Sequence, residues 1–477
     1  MITIHQPKVV EQCNKSRLTA DIDIDGKRKS LWHEVDAEYG KYLCHERSDA
    51  FLVGALQFAM CNRHDITCIA PVTEELLFNI TTYFLPTLSK YGSFLYHPRI
   101  IAPYASEIIE NYGGVGTGIS CGIDSFHAVA THWQPKDGFV PKLTHLCINN
   151  MCFETESFQN YGAYNAKKDI YARSEQVAKL LNLPLISSDS NYIEVFGPYV
   201  RPNYSVPINA VFSILTMQKL FKTYLFGSGY DFGQFQMPDS PDVDSAKYDL
   251  LSMNCFSTSQ IRIYSEGGAR DRIEKTATVA DFPLAWKYIH VCWNEGDNCG
   301  TCGKCRRTLL TLDVLGKLEE FRESLPVDYY RSHLDEYFKW LNNGMTGGNI
   351  YCWDIYTRMR QRGMYTEKLN KFGFDVVKRT LLSDEELNKN TYQPLRLLQK
   401  RFPNMAQKFI IFCLKPFLRL FLPLEYLIMF ESDPSNFFAV STKKLPGRLF
   451  VAFLSRIGPS PERTDYQSVF VKKAHSV

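Results

Sequence analysis

Apolar and polar residues alternate along Leu18, Ala20, Ile22 and Ile24, and again along Leu31, His33 and Val35. A period of two marks strands with one buried face, and Asp25-Gly26 between the two runs supplies the turn chemistry of a hairpin. The spacing then becomes helical. A helix is expected from Asp49 to about Cys61, and another from Glu74 to about Leu85, with Leu76, Leu77, Ile80 and Phe84 on one face. Residues 1–108 therefore read as a small α+β module without a catalytic constellation; docking, substrate capping and dimerisation are all open as its role.

From residue 109 to 315 strand-like and helix-like stretches alternate. Strands are expected at Val115–Ser120, at Leu143–Asn149, from Pro184 to Ser188, and from Thr223 into the glycines at 227 and 229. Helices are expected from Asp124 through Phe126, Ala128 and Val129, over Asn165–Leu181 and over Asn209–Phe221. Compact apolar strands separated by helices at this spacing predict an α/β fold, a doubly wound parallel sheet.

Beyond about residue 316 the chain turns helical, and Tyr329, Tyr330, Tyr337, Phe338 and Trp340 cluster there. Such an aromatic stripe is read first as core. Phe409–Phe430 is very apolar, but Lys415, Pro416, Arg419, Pro423 and Glu425 interrupt it. The longest uncharged run falls well short of the roughly 18 residues a spanning helix needs. No transmembrane segment is expected, and the stretch reads as a buried or interfacial helix.

Charge modifies this picture only at one end. The net charge is +3 over 477 residues, yet from Lys389 onward 14 Lys and Arg face 5 Asp and Glu. A basic tail suits either a polyanionic surface or plain solvation. The 14 cysteines are scattered singly except for one cluster, which does not resemble a disulfide framework. The N-terminus lacks the basic-then-apolar pattern of a secretory signal, so a reducing cytoplasm is the expected location.

Two motifs carry chemistry. Small residues dominate Gly113–Gly122, leading into Ser120-Cys121-Gly122-Ile123-Asp124-Ser125. Where a strand hands over to a helix, free N–H groups and the helix dipole favour an anion, and the hydroxyls of Ser120 and Ser125 add donors. Asp124 at the helix start can cap it or orient a metal-bound water. The lysine of the common GxxxxGK[ST] loop is missing. The second motif is Cys292-x6-Cys299-x2-Cys302-x2-Cys305. Four thiolates at this spacing, with Gly296, Gly300 and Gly303 permitting sharp turns, suit a closed tetrahedral zinc site of structural type. An iron–sulfur cluster is the competing reading.

Ser120–Ser125 resembles the SGGxDS loop of the ATP pyrophosphatases (PP-loop, adenine nucleotide alpha-hydrolase-like or HUP-like proteins). With the cysteine cluster downstream, residues 112–312 resemble the 7-cyano-7-deazaguanine synthase (ExsB-like) branch. The resemblance implies an ATP-dependent ligase that uses ATP, Mg²⁺ and Zn²⁺, forms AMP and pyrophosphate, and activates a carboxylate or carbonyl for amide or nitrile formation. It implies that Ser120, Cys121, Gly122, Ile123, Asp124 and Ser125 hold pyrophosphate and that Gly227, Ser228 and Gly229 lie beside the nucleotide. It makes Asp124, Arg272 and Lys275 the catalytic candidates, with Arg270 a further cation. Cys121 replaces the first glycine of the loop; a positive φ there would strain it. Pro238–Asp242 sits where a substrate-recognition loop belongs but matches it poorly.

The expected partners are a small-molecule carboxylate and a nitrogen nucleophile, with a protein or nucleic-acid acceptor and a homodimer left open. A nucleotide-binding sensor or assembly component that has lost turnover is the alternative. So is an RNA- or protein-modifying relative in a defence or surface-polysaccharide setting. The sequence divides as an N-terminal module (1–108), a nucleotide domain with the zinc cluster (109–315) and a helical, basic C-terminal region (316–477).

Overall fold

The computed structural model describes residues 1–150, 163–197, 200, 202–294 and 296–371. The apolar Phe409–Phe430 stretch and the basic tail lie outside these residues. Among the described residues no helix is long and apolar enough to cross a membrane.

Alternating patterns at the start of the chain give β1 (Ile2–Ile4), β2 (Lys8–Gln12), β3 (Lys15–Ile24) and β4 (Lys27–Asp36). β3 and β4 form the expected hairpin, pairing Leu18 with His33 and Ile24 with Lys27. Its Asp25-Gly26 turn has φ of +49° and +79°, the pair of positive values that matches strand twist. Short strands follow: β5 (Ile66–Cys68), β6 (Val72–Thr73), β7 (Ile100–Ile101) and β8 (Tyr104–Ala105). The longer parallel set is β9 (Gly114–Gly118), β10 (His145–Asn150), β11 (Leu185–Ser190), β12 (Phe221–Gly227) and β13 (Arg262–Glu266).

The fold is mixed α/β, with helices and one mostly parallel central sheet ordered β13-β12-β9-β10-β11-β4-β3-β1-β5-β7, and β2 paired to β3. β6 and β8 form a separate pair. The chain runs β9, β10, β11 in one direction, then returns to the other side of β9 for β12 and β13. In open α/β sheets such a reversal point, at the carboxyl ends of the strands, is where ligands bind.

Residues 1–108, expected as a module of their own, instead extend the same sheet. β4 pairs antiparallel with β11 through Asp189–Glu34 and Ser190–His33, and Met1–His333 form one compact unit. The physical reason is the Asp49–Asn62 helix, every residue of which from Asp49 to Met60 is buried. A helix apolar on all sides needs cover on all sides. Phe51 meets Phe212 of the Pro202–Thr216 helix at 5.7 Å, and Tyr192 donates to the Gly54 carbonyl at 2.7 Å. Fully burying Phe51 contributes about 2–3 kcal/mol.

Two helix boundaries differ from expectation. The helix placed at Asn209–Phe221 runs Pro202–Thr216, and Phe221 opens β12. The Glu74–Leu85 helix continues through a π turn at Ile80–Phe84 into Leu85–Tyr91, and the π turn falls just before Pro86, which has no N–H to donate.

Residues from Leu334 belong to a second unit. There the Leu334–Thr346 helix buries Tyr337, Phe338, Leu341 and Met345 and packs on Ile350–Gln361. Tyr330, in the first unit, is buried and donates to Asp313 at 2.6 Å. The aromatic residues Tyr330, Tyr337 and Phe338 are thus core.

Two buried histidines make stability depend on pH. Burial holds His33 down at about 3 and His127 at about 4, below the 6.5 of an unfolded chain. The unfolded chain therefore binds more protons below pH 6.5. Stability present above that value is lost as pH falls, by about 1.4 kcal/mol per pH unit for each histidine. His132 is raised, chiefly by Glu266 working against burial. Its contribution is already complete below pH 6.5 and does not offset the loss. Calorimetric melting temperatures are expected to drop steadily between pH 6.5 and 4.5; a flat profile would contradict the neutral state of His33 and His127.

Candidate functional site

The expected phosphate loop leaves β9 at Gly118 and enters the Ile123–His132 helix, with Gly122 as its cap residue in extended conformation. The first N–H groups of this helix have no carbonyl of a preceding turn to meet, so they are available to an anion. Ser125 donates to the Gly122 carbonyl at 3.1 Å, and Ser120 reaches Ser125 at 3.4 Å. The loop is held from behind: Ile119 N–H donates to Cys147, and Ser174 donates to the Ile119 carbonyl at 2.7 Å.

Cys121 has φ of +61° and is fully buried. The position is the left-handed one that favours glycine, which costs an L residue about 1–2 kcal/mol. Its carbonyl accepts from His290 N–H at 2.8 Å, which fixes the turn. Burial pushes the Cys121 thiol up to about 12, so it is a thiol and no nucleophile.

The glycines of β9 serve packing as well as the loop. A Cβ on Gly116 would lie 2.5 Å from the Phe221 ring, so only glycine lets that ring cross the strand. Gly227 does the same at the end of β12, where a Cβ would meet the Asp124 carbonyl oxygen at 3.2 Å. The Gly227-Ser228-Gly229 turn thus lies directly against the start of the Ile123–His132 helix.

Asp124 is where separate parts of the chain converge. Its Oδ1 pairs with Arg272 Nη1 at 2.9 Å and Lys275 Nζ at 3.4 Å. Arg272 also donates to the Gly229 carbonyl at 2.8 Å, and Lys275 to the Ser228 carbonyl at 2.7 Å. Both cations sit on the Arg272–Ala280 helix, which starts with a capping box between Asp271 and Glu274. Burial lowers the pKa of Lys275, and Asp124 opposes that shift. Arg270 is exposed and outside this pairing.

Sequence reasoning missed Asp249 and a histidine pair. Asp249 accepts from Ser228 at 2.7 Å and Ser265 at 2.6 Å, tying the turn after β12 to β13. Burial raises its pKa, and the two serine hydroxyls oppose that. Glu266, at the end of β13, lies 3.1 Å from His132 and 3.8 Å from His127. Nothing in the linear spacing connects these residues; the pairing of β12 with β13 brings Ser228 and Ser265 to Asp249, and Glu266 meets the Ile123–His132 helix. In the expected Pro238–Asp242 loop, the Pro238 carbonyl packs against Gly92.

The four cysteines do come together. Their sulfurs all lie within 4.8 Å of one another, with Cys292–Cys302 at 3.9 Å and Cys299–Cys305 at 4.0 Å. A tetrahedral ion with metal–sulfur bonds of roughly 2.3 Å needs sulfur separations of about 3.8 Å. The cluster could hold a metal ion such as zinc. N–H donors surround the sulfurs: Asn294 to Cys292, Cys302 to Cys299 and Cys305 to Cys302, all at 3.3–3.4 Å. Burial would raise the Cys299 thiol, but Thr301 and the Cys302 amide hold it down at about 6. Asn298 organises the loop, accepting from Val291 and Cys292 N–H and donating to the Ile289 and Ser324 carbonyls.

Comparison with known proteins finds no matching family model, no similar curated protein and no similar solved structure. The functional reading therefore rests on the residues themselves.

Proposed function

We propose that this chain is an ATP-dependent adenylating enzyme. It would cleave ATP to AMP and pyrophosphate and activate a carboxylate or carbonyl for amide or nitrile formation or ligation, as 7-cyano-7-deazaguanine synthases do. One observation carries the reading. The Ser120–Ser125 loop ends β9 at the sheet's reversal point, where Asp124 meets Arg272, Lys275 and the Gly227–Gly229 turn.

A carboxylate resists nucleophiles because oxide is a poor leaving group, and adenylation replaces it with a good one. The cost is negative charge developing on the departing pyrophosphate. Helix N-terminal amides, Ser120, Ser125, Arg272 and Lys275 form a preorganised positive surface for that charge. Asp124 would hold Mg²⁺ through Oδ2, since Oδ1 is the oxygen that Arg272 and Lys275 share. The ion would supply charge neutralisation to the phosphates. The cysteine cluster has no open position and would hold zinc structurally.

A second reading is favoured by Cys121 alone. Strain at the loop's glycine position suits a nucleotide sensor that binds ATP without turning it over.

Purified full-length protein is to be incubated with Mg-ATP, ammonia and a panel of small carboxylates, and the nucleotide products resolved by mass spectrometry. AMP and pyrophosphate are expected. ADP and phosphate would overturn the proposal, and ATP bound but intact would select the sensor.

A further inference from the structure

Glu266 and the two histidines facing it adjoin the Asp124 cations without taking part in the proposed chemistry. Ser228 links the two groups. Its N–H donates to the Glu266 carbonyl at 2.8 Å, and its own carbonyl accepts from Lys275 at 2.7 Å. A Cβ on the next residue, Gly267, would lie 2.9 Å from His127 Nδ1 and 3.1 Å from Lys275 Cε. The His127 ring and the Lys275 stem therefore both crowd the backbone beside Glu266.

Geometry sets the charge of His132. Its Nδ1 lies 2.9 Å from the Pro141 carbonyl, which can only accept, so Nδ1 carries a proton. Its Nε2 faces Glu266 Oε2 at 3.1 Å, where a bare lone pair would repel the carboxylate. Both nitrogens are protonated, and His132 is an imidazolium. Burial alone would lower its pKa, but Glu266 raises it; burial would raise Glu266, but His132 brings it down. The two side chains are 6% and 17% exposed, so solvent screens them little. The other groups acting on Glu266 are His127, from the same helix as His132, and Lys275, from the Arg272–Ala280 helix; Arg270 and Asp124 act on His127.

We propose that His132 is a positioning residue: its proton occupies Glu266 and so leaves Lys275 directed at Asp124 and the pyrophosphate of ATP. His127 is held neutral by burial. Without the His132 proton, the cation left acting on Glu266 is Lys275. An unpaired buried carboxylate is costly, so it would draw Lys275 away from the phosphates. The assignment rests on the adenylating reading of the loop.

The test is isothermal titration of the full-length protein with Mg-pyrophosphate as the probe. The parent is expected to bind it. His132→Gln should weaken binding about tenfold, the worth of one charge-assisted contact. Adding Glu266→Gln to that variant should restore most of the loss, because the competing carboxylate is gone. If His132→Gln binds as tightly as the parent, the role of His132 falls and the loop assignment stands. If it binds weakly and Glu266→Gln restores nothing, His132 merely supports the fold and the proposal is overturned. If the parent itself does not bind pyrophosphate, the adenylating reading falls, and His132 with it. Should His132→Gln fail to fold, the parent is compared with Glu266→Gln from about pH 6 to 9. The ratio of parent to variant affinity should fall through the pH at which NMR of the parent shows the His132 ring losing its proton; a constant ratio would overturn the proposal.

Discussion

Asp124→Asn is expected to lower the rate of AMP formation at least a hundredfold and to shift its alkaline limb to lower pH. The substitution is nearly isosteric, so the Ile123–His132 helix and its contact with Gly227 remain. What changes is charge. Arg272 and Lys275 lose the carboxylate they share, at 2.9 and 3.4 Å, and are left as two adjacent cations. Lys275 is 2% exposed and its pKa is already lowered by burial, with Asp124 the main influence raising it. Without Asp124 its pKa falls further, and the site loses part of a cation as well as an anion. Losing one preorganised charged group of this kind costs about 10²–10³ in rate. The sign of the pH effect follows: activity that needs protonated Lys275 persists below its pKa and disappears as pH rises through it, and that pKa is lower in the variant. Stability should drop too, by about 2–3 kcal/mol, less than for a fully buried pair because Asp124 is 30% exposed. Initial rates of AMP formation from pH 6.5 to 10 read both effects. An Asp124→Asn enzyme within tenfold of the parent, with an unmoved limb, would remove Asp124 from the chemistry.

How much of this site was legible follows from what kind of signal each part has. The Asp25-Gly26 hairpin and the Gly118–Ser125 loop are local: a few adjacent residues carry both the turn chemistry and the strand-to-helix handover. The cysteine cluster is nearly local, since fourteen residues contain all four sulfurs. Arg272 and Lys275 were placed through resemblance, and the structure brings them to Asp124 from some 150 residues away. Asp249 and Glu266 had no comparable signal. Each matters only because a neighbouring strand or helix meets it: β13 beside β12, or the Ile123–His132 helix against Glu266. Strand order was equally hidden. Alternation in β4 fits a module edge as well as it fits pairing with β11; the all-buried helix at Asp49–Asn62 decides between them, because it needs cover on every side. The small residues of β9 also serve packing: Gly116 is required by Phe221, a residue more than a hundred positions away.

Removing metal from the cysteine cluster, or replacing Cys305 by Ser, is expected to lower the melting temperature by on the order of 10 °C and to abolish AMP formation together with it. Cys305 is fully buried, and Cys302 caps the Gly303–Leu315 helix by accepting from Cys305 N–H at 3.4 Å. Without an ion, four sulfurs within 4.8 Å must either stay protonated, losing the N–H···S geometry, or ionise and repel. In small zinc domains the ion supplies about 10 kcal/mol or more. Here part of that is replaced by the surrounding core, so a loss of several kcal/mol is expected. The effect on activity has a structural route. The Gly303–Leu315 helix packs on the Arg272–Ala280 helix, which carries both cations of Asp124. Asn298, between the first two cysteines, holds the Val291 N–H, and the adjoining His290 N–H holds the Cys121 carbonyl of the Ser120–Ser125 loop. Loosening the cluster therefore releases the loop and its cations at once. Elemental analysis should find one zinc per chain, and calorimetry before and after chelation gives the shift. A visible absorption band near 400 nm would instead indicate iron and sulfide at the same thiolates. An unchanged melting temperature in the chelated protein would mean that this cluster braces nothing.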